Sequence, residues 1–327
     1  MPVMEGKAVL FKEFGNVDAF PLCINIHEPD EIIRFVEAIA PTFGGVNLED
    51  ISSPKCFYIE QELRRRLDIP VFHDDQHGVA IVAIAALRNA LKIVNKKMEN
   101  LKVAVVGTGA AGGATIKMFL AAGVRNIVAV DRYGILNKDD PQTLLNEFHR
   151  EIVNEINPEN ICGDLASALV GADLFVGTSV GGLVTPQMIR SMASNPIVFA
   201  LANPVPEIMP DLARETGASI VATGRSDFPN QINNVLAFPG IFRGALDVRS
   251  RDINEAMKLA ATAALAYAVD ENSLSPDYIL PRAFESGIAK RFAIEVARAA
   301  VTSGSASLQT SLEELEEIID RGFQSLS

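Results

Sequence analysis

The 327-residue chain is short of cysteine, of positive charge and of long hydrophobic runs. Its three cysteines, Cys23, Cys56 and Cys162, are widely spaced, which argues against a disulfide framework and favours a reducing, cytoplasmic compartment. Its 29 lysines and arginines are outnumbered by 41 acidic residues, which gives a net charge of -12. This acidic balance argues against nucleic acid and anionic membranes as partners.

The hydrophobic segments exclude further classes. The most apolar stretch, residues 79–87, ends at Arg88 and is shorter than the roughly 20 residues of a membrane span. The first residues lack the basic region and apolar run of a secretory signal. Hydrophobic residues still make up 48% of the chain, which is enough for large cores, and the length predicts about two domains.

Short apolar runs alternate with amphipathic segments along most of the chain, a pattern typical of βαβ units and a parallel sheet. It predicts an α/β fold with two domains: a Rossmann-type, doubly wound parallel sheet domain, and a second, discontinuous α/β domain with C-terminal helices. We assign residues 74–234 to the first and residues 1–73 with 235–327 to the second. Predicted strands cover residues 17–25, 43–47, 69–72, 102–106, 126–130, 172–176, 197–201 and 219–222; predicted helices cover 29–40, 56–67, 78–94 and 114–121.

A nucleotide-binding motif follows the predicted strand at 102–106. Gly107, Gly109 and Gly112 form G-x-G-x-x-G and precede a predicted helix, so Ala110 and Ala111 also lie where a pyrophosphate approaches the backbone. The end of the next strand carries a carboxylate, Asp131, which suits hydrogen bonds from the adenosine ribose. Asp131 favours NAD, but Arg132 beside it can pair with a 2′-phosphate, so NADP stays open.

Acidic pairs follow two predicted strands of the other domain: Glu49-Asp50 after 43–47, and Asp74-Asp75 after 69–72. The carboxyl ends of parallel strands face the ligand in open sheets, so these pairs can gather around one hard cation, Mg²⁺ or Mn²⁺. The alternative is that they are ordinary solvated loop residues. His73 and His77 flank the second pair and leave a zinc site open, beside simple packing roles.

Three further side chains are candidates for a small anionic substrate. Lys7 is a base only if its surroundings lower its pKa by about three units, and is otherwise a solvated charge. Asn203 and Asn234 are neutral amides suited to a small carboxylate, although such residues are also common in turns.

Together these stretches resemble the bacterial-type malic enzymes, and the resemblance runs from residue 1 to about residue 300. The matching motifs are Met4-Glu5-Gly6-Lys7, Phe72-His73-Asp74-Asp75-Gln76-His77-Gly78, Gly107-Thr108-Gly109-Ala110-Ala111-Gly112, Phe199-Ala200-Leu201-Ala202-Asn203-Pro204, and Asn233-Asn234 through Phe238-Pro239-Gly240. The resemblance implies metal-dependent oxidative decarboxylation of L-malate to pyruvate and CO₂ with NAD or NADP, in a homodimer or higher homo-oligomer.

The resemblance also implies a role for each matched residue. Lys7 is the general base and Asp74 holds it in place. The metal ligands are Glu49, Asp50 and Asp75. Asn203 and Asn234 contact the substrate carboxylates.

One departure from the family bears on activity. The family's general-acid tyrosine and a substrate-binding arginine lie upstream of the lysine motif, with which this chain begins. The tyrosines of this chain, Tyr58, Tyr133, Tyr267 and Tyr278, are not in the matching context, so we expect severely impaired turnover. Two alternatives follow: a malolactic-type enzyme, which retains its cofactor and releases lactate, or a chain that binds nucleotide and metal without turnover.

Overall fold

A computed structural model describes residues 1–282, 285 and 287–324. The described residues form thirteen α-helices: α1 Pro2–Gly15, α2 Pro29–Ile39, α3 Lys55–Arg66, α4 Asp74–Val94, α5 Ala110–Ala121, α6 Glu147–Ile152, α7 Leu165–Leu169, α8 Pro186–Arg190, α9 Pro210–Glu215, α10 Phe238–Asp247, α11 Glu255–Tyr267, α12 Ile288–Thr302 and α13 Leu315–Phe323. They also form eight strands: β1 Val46–Leu48, β2 Val71–His73, β3 Lys102–Val106, β4 Asn126–Asp131, β5 Gly134–Ile135, β6 Leu174–Gly177, β7 Ile197–Ala200 and β8 Ile220–Thr223.

The chain divides into two compact units, each made of separate stretches of sequence. The first unit consists of Met1–Val82, Asn234–Ala268 and the described part of Ala283–Ser327. The second unit consists of Ala83–Asn233 and Val269–Arg282.

A small parallel sheet lies at the centre of one half of the first unit. Strands β1 and β2 pair in parallel, with Leu48 opposite His73. Helices α2 and α3 pack on each other, and their apolar faces form one core with the sheet, in which Ile33, Ile59 and Leu63 are fully buried. The helices predicted over 29–40 and 56–67 are therefore confirmed to within about a residue.

Helices form the other half of the first unit. Helix α10 packs against α1, α12 and α13. Side chains at Gly240 and Gly244 would lie about 3.0 Å from Phe292 and Val296 of α12, so these glycines allow the two helices to approach closely. Phe11 of α1 contacts the Phe238 ring of α10, with 4.6 Å between ring centroids. The sequence pattern did not predict helix α1.

The second unit contains a six-stranded sheet in the order β5-β4-β3-β6-β7-β8. All neighbouring strands are parallel except for β5, which is antiparallel to β4. The strand order reverses direction between β3 and β6, as in a doubly wound Rossmann sheet, whose ligand crevice lies at that point. This confirms the predicted fold class.

Helix α4 is buried along most of its length. Every residue from Ala80 to Leu87 is fully buried. Its 21 residues have the length and composition of a membrane span, which the apolar stretch at 79–87 alone did not indicate, but 72% of its most apolar window is buried inside the protein. Because of this burial we describe α4 as a core helix.

The strand predicted over residues 17–25 is wrong, because this segment is irregular. Its alternating apolar side chains do not reach a core: Phe20 is 70% exposed and Leu22 is 46% exposed. Pro21 lacks an N–H for a ladder, and no described strand pairs with the segment. Alternation in sequence does not produce a strand where no partner strand is available.

Candidate active site

Helix α1 places Lys7 between two carboxylates of the first unit. The Lys7 ammonium is ion-paired with Asp74 and lies 2.9 Å from Glu49 Oε2. It also lies 4.7 Å from the centre of the Phe238 ring, and the side chain is only 12% exposed. Lys7 is therefore a largely buried cation with two anionic partners.

The pKa values of this cluster follow from burial and close charges. Burial lowers the pKa of Lys7, but the charges of Asp74 and Glu49 outweigh it, so the pKa lies above its ordinary value of 10.5. Burial raises the pKa of Asp74 to about 6 and that of Glu49 to about 7, despite the opposing charge of Lys7. The expected lowering of the Lys7 pKa is thus not found among these residues alone, because two carboxylates stabilise one ammonium.

The register of the two-stranded sheet brings the acidic pairs together. Leu48 lies opposite His73, so Glu49-Asp50 and Asp74-Asp75 leave the same edge of the sheet. The Asp50 N–H donates a 2.8 Å hydrogen bond to Asp75 Oδ2, and Asp50 has a left-handed backbone with φ 55°. Asp74 and Asp75 form the first turn of α4, which begins four residues earlier than predicted.

The carboxylates fit a hard divalent cation. One oxygen from each of Glu49, Asp50 and Asp75 lies within 4.8 Å of the other two, and no other such group of His, Cys, Asp or Glu occurs among the described residues. Three carboxylates without a thiolate are the donors that Mg²⁺ and Mn²⁺ prefer. A cavity of about 600 Å³ in the first unit is lined in part by Lys7, Glu49 and Asp50.

A buried network supports the first turn of α4. Glu60 of α3 accepts a 3.0 Å hydrogen bond from Gln76 and lies 2.7 Å from His77 Nε2. Burial alone raises the pKa of Glu60, but the charges of His77, Arg64 and Lys258 lower it to about 2. His77 is thus engaged with Glu60. Sequence analysis missed Glu60, although an acid on the apolar face formed by Cys56, Ile59 and Leu63 was a usable signal.

His73 differs from His77 in that its imidazole ring makes no hydrogen bond within the part of the chain that the structure describes. Its side chain is fully buried, and neither ring nitrogen has a hydrogen-bond partner among the described residues. Burial lowers its pKa, so the ring is neutral at pH 7. Neither His73 nor His77 belongs to the described carboxylate group that can hold a metal, and the zinc alternative gains no support.

Asn234 and Asp74 meet at a glycine of α4. A Cβ atom on Gly78 would lie 2.7 Å from Asn234 Cβ and would overlap Asp74 Oδ1. The absence of a side chain at Gly78 therefore allows the predicted substrate amide and the partner of Lys7 to lie side by side.

Substitution of Gly78 tests this packing. Gly78→Ala is expected to displace Asp74 and to lower any turnover that depends on the Lys7–Asp74 pair about 10²-fold, since a 1 Å misplacement can cost that much. The overlap should also cost about 1–3 kcal/mol of unfolding free energy. The measurements are kcat and thermal unfolding. Gly6→Ala is the matched control, because Gly6 precedes Lys7 in a helix and has no atom within 4 Å of its added Cβ. Equal activity of the two variants would contradict the prediction.

The glycine-rich loop, residues 107–112, comprises the turn after β3 and the first three residues of α5 in the second unit. Gly107 has φ +90°, which favours glycine. A Cβ on Gly112 would overlap the Gly107 carbonyl oxygen and lie 2.6 Å from Thr178 Oγ1. Helix α5 starts at Ala110 without a side-chain cap, so the backbone N–H groups of its first turn are available to an anion.

Asp131 ends β4, as predicted, and its Oδ1 accepts a 2.7 Å hydrogen bond from the Tyr133 N–H. The Arg132 guanidinium is 4.7 Å from the centre of the Tyr133 ring. Sequence analysis missed His149, whose Nδ1 lies 4.0 Å from Asp131 Oδ2. Its signal in the sequence is weak, because a histidine on a short helix has many possible roles.

Asn203 is exposed, follows β7 in the second unit and precedes a cis proline, Pro204. The missed residue Glu207 organises this region. It is fully buried and accepts hydrogen bonds of 2.9 and 3.0 Å from the N–H groups of Ser179 and Ala202. Burial raises its pKa, while these N–H groups lower it. Glu207 thus links the chain after β6 to the chain after β7.

Two family models match most of the chain. "Malic enzyme, NAD binding domain" matches residues 76–301, and "Malic enzyme, N-terminal domain" matches residues 1–64. The chain is 56% identical to an NAD-dependent malic enzyme of Geobacillus stearothermophilus, over 93% of this chain and 63% of that protein. It is 53% identical to a bifunctional malic/malolactic enzyme of Bacillus subtilis, over 97% of this chain and 77% of that protein.

A solved structure is similar over almost the whole chain. It is a malic enzyme from Pyrococcus horikoshii, with 49% identity and a TM-score of 0.93, over 98% of this chain and 76% of that one. The chain thus spans less than two thirds of the Geobacillus relative and about three quarters of the other two.

Proposed function

Since this chain belongs to the malic enzyme family, we propose that it oxidises and decarboxylates L-malate to pyruvate and CO₂ with NAD or NADP and with Mg²⁺ or Mn²⁺. The observation that carries the proposal is the position of Lys7: a buried lysine held by Asp74 and Glu49, beside three carboxylates that suit a divalent cation. A base next to residues that would hold a cation is what deprotonation of a substrate hydroxyl group needs.

The residues of the chain divide the proton chemistry between them. Lys7 takes the proton of the C2 hydroxyl as a hydride leaves C2, and Asp74 fixes the position of the lysine nitrogen. The negative charges of Glu49 and Asp74 raise the pKa of Lys7. If a cation held by Glu49 neutralised one of these charges, Lys7 would lose its proton more readily. Asn203 and Asn234 donate amide N–H groups to the substrate carboxylates.

The bound groups supply what side chains cannot. Glu49, Asp50 and Asp75 would hold the cation, while the glycine-rich loop and Asp131 would hold the nucleotide. A nicotinamide ring supplies the hydride acceptor, and a divalent cation supplies positive charge that stabilises the oxygen of the ketone and enolate.

Product analysis tests the proposal. The purified chain is incubated with L-malate, NAD or NADP, and Mn²⁺ or Mg²⁺. We expect slow formation of pyruvate and reduced nucleotide in equal amounts, and loss of both after chelation. Nucleotide binding without any product would favour a binding module instead, and full activity after exhaustive chelation would overturn the metal assignment.

A malolactic reaction is the second candidate, and the 53% identity to a bifunctional malic/malolactic enzyme favours it. In that reaction the hydride returns to pyruvate before release. Lactate without net formation of reduced nucleotide identifies it, and the same incubation distinguishes the two outcomes.

Nucleotide preference depends on Asp131. A carboxylate repels a 2′-phosphate, so we expect NAD to be preferred, although Arg132 opposes this effect. Asp131→Ser is expected to raise the affinity for NADPH relative to NADH about tenfold. The substitution removes the repulsion between the carboxylate and the 2′-phosphate, and about 1.4 kcal/mol corresponds to a tenfold change. Fluorescence titrations measure both affinities without turnover. Asp139→Ser, at an exposed aspartate that follows β5, is the control. A wild-type preference for NADPH would mean that Arg132 dominates.

We further propose a cytoplasmic location and a homodimer or higher homo-oligomer. The free thiols of Cys23, Cys56 and Cys162 support a reducing compartment. The oligomeric state rests on the family alone. Light scattering on the purified chain, which measures molar mass in solution, tests it.

A further inference from the structure

The second unit contains a buried histidine that joins two parts of the proposed nucleotide site. His149 lies on α6 and is 3% exposed. Its Nε2 is 2.8 Å from Thr108 Oγ1 in the glycine-rich loop, and its Nδ1 is 4.0 Å from Asp131 Oδ2 at the end of β4. One imidazole therefore lies between the loop proposed for the pyrophosphate and the carboxylate proposed for the ribose.

Packing and capping fix the position of this imidazole. The neighbouring Phe148 packs onto α5, and a Cβ on Gly113 would lie 2.8 Å from its ring. The Asn146 side chain caps α6 by accepting a hydrogen bond from the His149 N–H. His149 is thus held against α5, whose first residues belong to the glycine-rich loop.

The surroundings determine which ring nitrogen carries the proton. The Asp131 carboxylate lies on the Nδ1 side. Its charge and a backbone hydrogen bond with Thr143 raise the pKa of His149, although burial lowers it by more. In the neutral ring the proton therefore belongs on Nδ1, and Nε2 accepts from the Thr108 hydroxyl. The single hydroxyl proton of Thr108 is then committed to His149, and only oxygen lone pairs remain for a ligand.

Protonation reverses this hydrogen bond. In the imidazolium both nitrogens donate, so Nε2 donates to Thr108 Oγ1 and the hydroxyl proton becomes free to donate to a phosphate oxygen. We propose that His149 is a positioning residue of the nucleotide site, which acts through Thr108 and makes pyrophosphate binding stronger as His149 takes up a proton. This inference rests on the proposed nucleotide-binding function of residues 107–112 and Asp131.

The other charged groups around His149 have partners of their own. They are Lys117 of α5, which is paired with Glu151 and lies over the Phe148 ring; Arg150 of α6, which donates to the Leu144 carbonyl; Arg132, which lies over the Tyr133 ring; and Asp140, which accepts from the Thr143 hydroxyl. Asp131 is therefore the charge that acts directly on His149.

Calorimetric titration with NAD tests the proposal, because the diphosphate of NAD has no group that titrates between about pH 5.5 and about pH 8. For the wild-type chain we expect Kd to fall about three- to tenfold from the upper to the lower pH, with uptake of a proton on binding. Thermal unfolding of each variant, followed at both pH values, reports folding separately.

Two substitutions make the test specific. His149→Gln places an amide that can donate to Thr108 at every pH, and Thr108→Val removes the hydroxyl but keeps the shape. Both substitutions should abolish the pH dependence of Kd for NAD. If His149 only packed against its neighbours, the dependence of Kd on pH would stay unchanged in both variants. A slope that persists in either folded variant, or a wild-type Kd that is independent of pH, would overturn the inference. Failure to bind NAD at any pH would overturn the proposed nucleotide site itself.

Discussion

In a catalytically competent enzyme, Lys7→Ala is expected to lower kcat for the proposed malate oxidation by about 10²–10⁴, the usual contribution of a general base. The variant loses the one amine that lies between Asp74 and Glu49. The affinity for NAD should change little, because the glycine-rich loop and Asp131 belong to the other unit. Steady-state kinetics and calorimetric titration of NAD measure the two quantities.

Two further variants separate base catalysis from charge. Lys7→Arg keeps the positive charge, but a guanidinium does not act as a base at neutral pH. It should therefore be as inactive as Lys7→Ala while retaining more stability. Lys12→Ala is the control on the same helix, since Lys12 is 58% exposed and pairs with the exposed Asp18. Substantial activity in Lys7→Arg would contradict the role of Lys7 as the base.

Stability supplies a readout of Lys7 that needs no turnover. Asp74 is fully buried, and its folded-state pKa of about 6 exceeds the ordinary value of 3.8. Loss of Lys7 raises this pKa further, so the ionised carboxylate is disfavoured in the fold. Below its unfolded-state pKa, Asp74 is protonated in both the folded and the unfolded state and changes the free energy of unfolding little. The destabilisation of Lys7→Ala should therefore grow as pH rises through and above 6, and should be larger at pH 8 than at pH 4.

The sequence predicted the second unit better than the first. Residues 102–106 and 126–130 are apolar strands that flank a glycine motif, and the structure places strands at Lys102–Val106 and Asn126–Asp131. Such parallel strands are covered on both faces and therefore appear in the sequence as continuous apolar runs, which local composition alone can predict. Residues 17–25 have a comparable alternation, yet they are irregular, since no partner strand is present among the described residues.

The family resemblance is confirmed by both matched family models, whereas the roles of individual site residues stay predictions. Motifs identified Lys7, Asp74 and Gly112 without any knowledge of contacts. They did not identify Glu60, His149 or Glu207, because each of these acts through a partner at least 17 residues away in sequence: His77, Thr108 and Ser179. A buried polar side chain depends on tertiary structure, and a single sequence shows only that the residue is polar.

Asp75→Ala is expected to weaken Mn²⁺ binding by more than about 100-fold. Substitution of a residue that only hydrogen-bonds to a metal ligand already lowers metal affinity about 10- to 100-fold. The substitution removes one of the three oxygens that lie within 4.8 Å of one another. It also removes the acceptor for the Asp50 N–H, which holds Asp50 in its left-handed conformation. Metal-supported turnover should be lost with the metal, while NAD binding should persist.

Electron paramagnetic resonance of Mn²⁺ measures this affinity directly, and Asp75→Asn separates the two losses. The asparagine oxygen can still accept from the Asp50 N–H, but the residue has no charge, so its affinity should lie between that of the wild type and that of Asp75→Ala. Asp68→Ala removes an exposed charge just before β2 and is the matched control. Wild-type Mn²⁺ affinity should also rise with pH up to about 7, because the cation competes with the proton on Glu49, whose pKa is raised to about 7 by burial. Undiminished Mn²⁺ binding in Asp75→Ala would mean that the three carboxylates do not form the metal site.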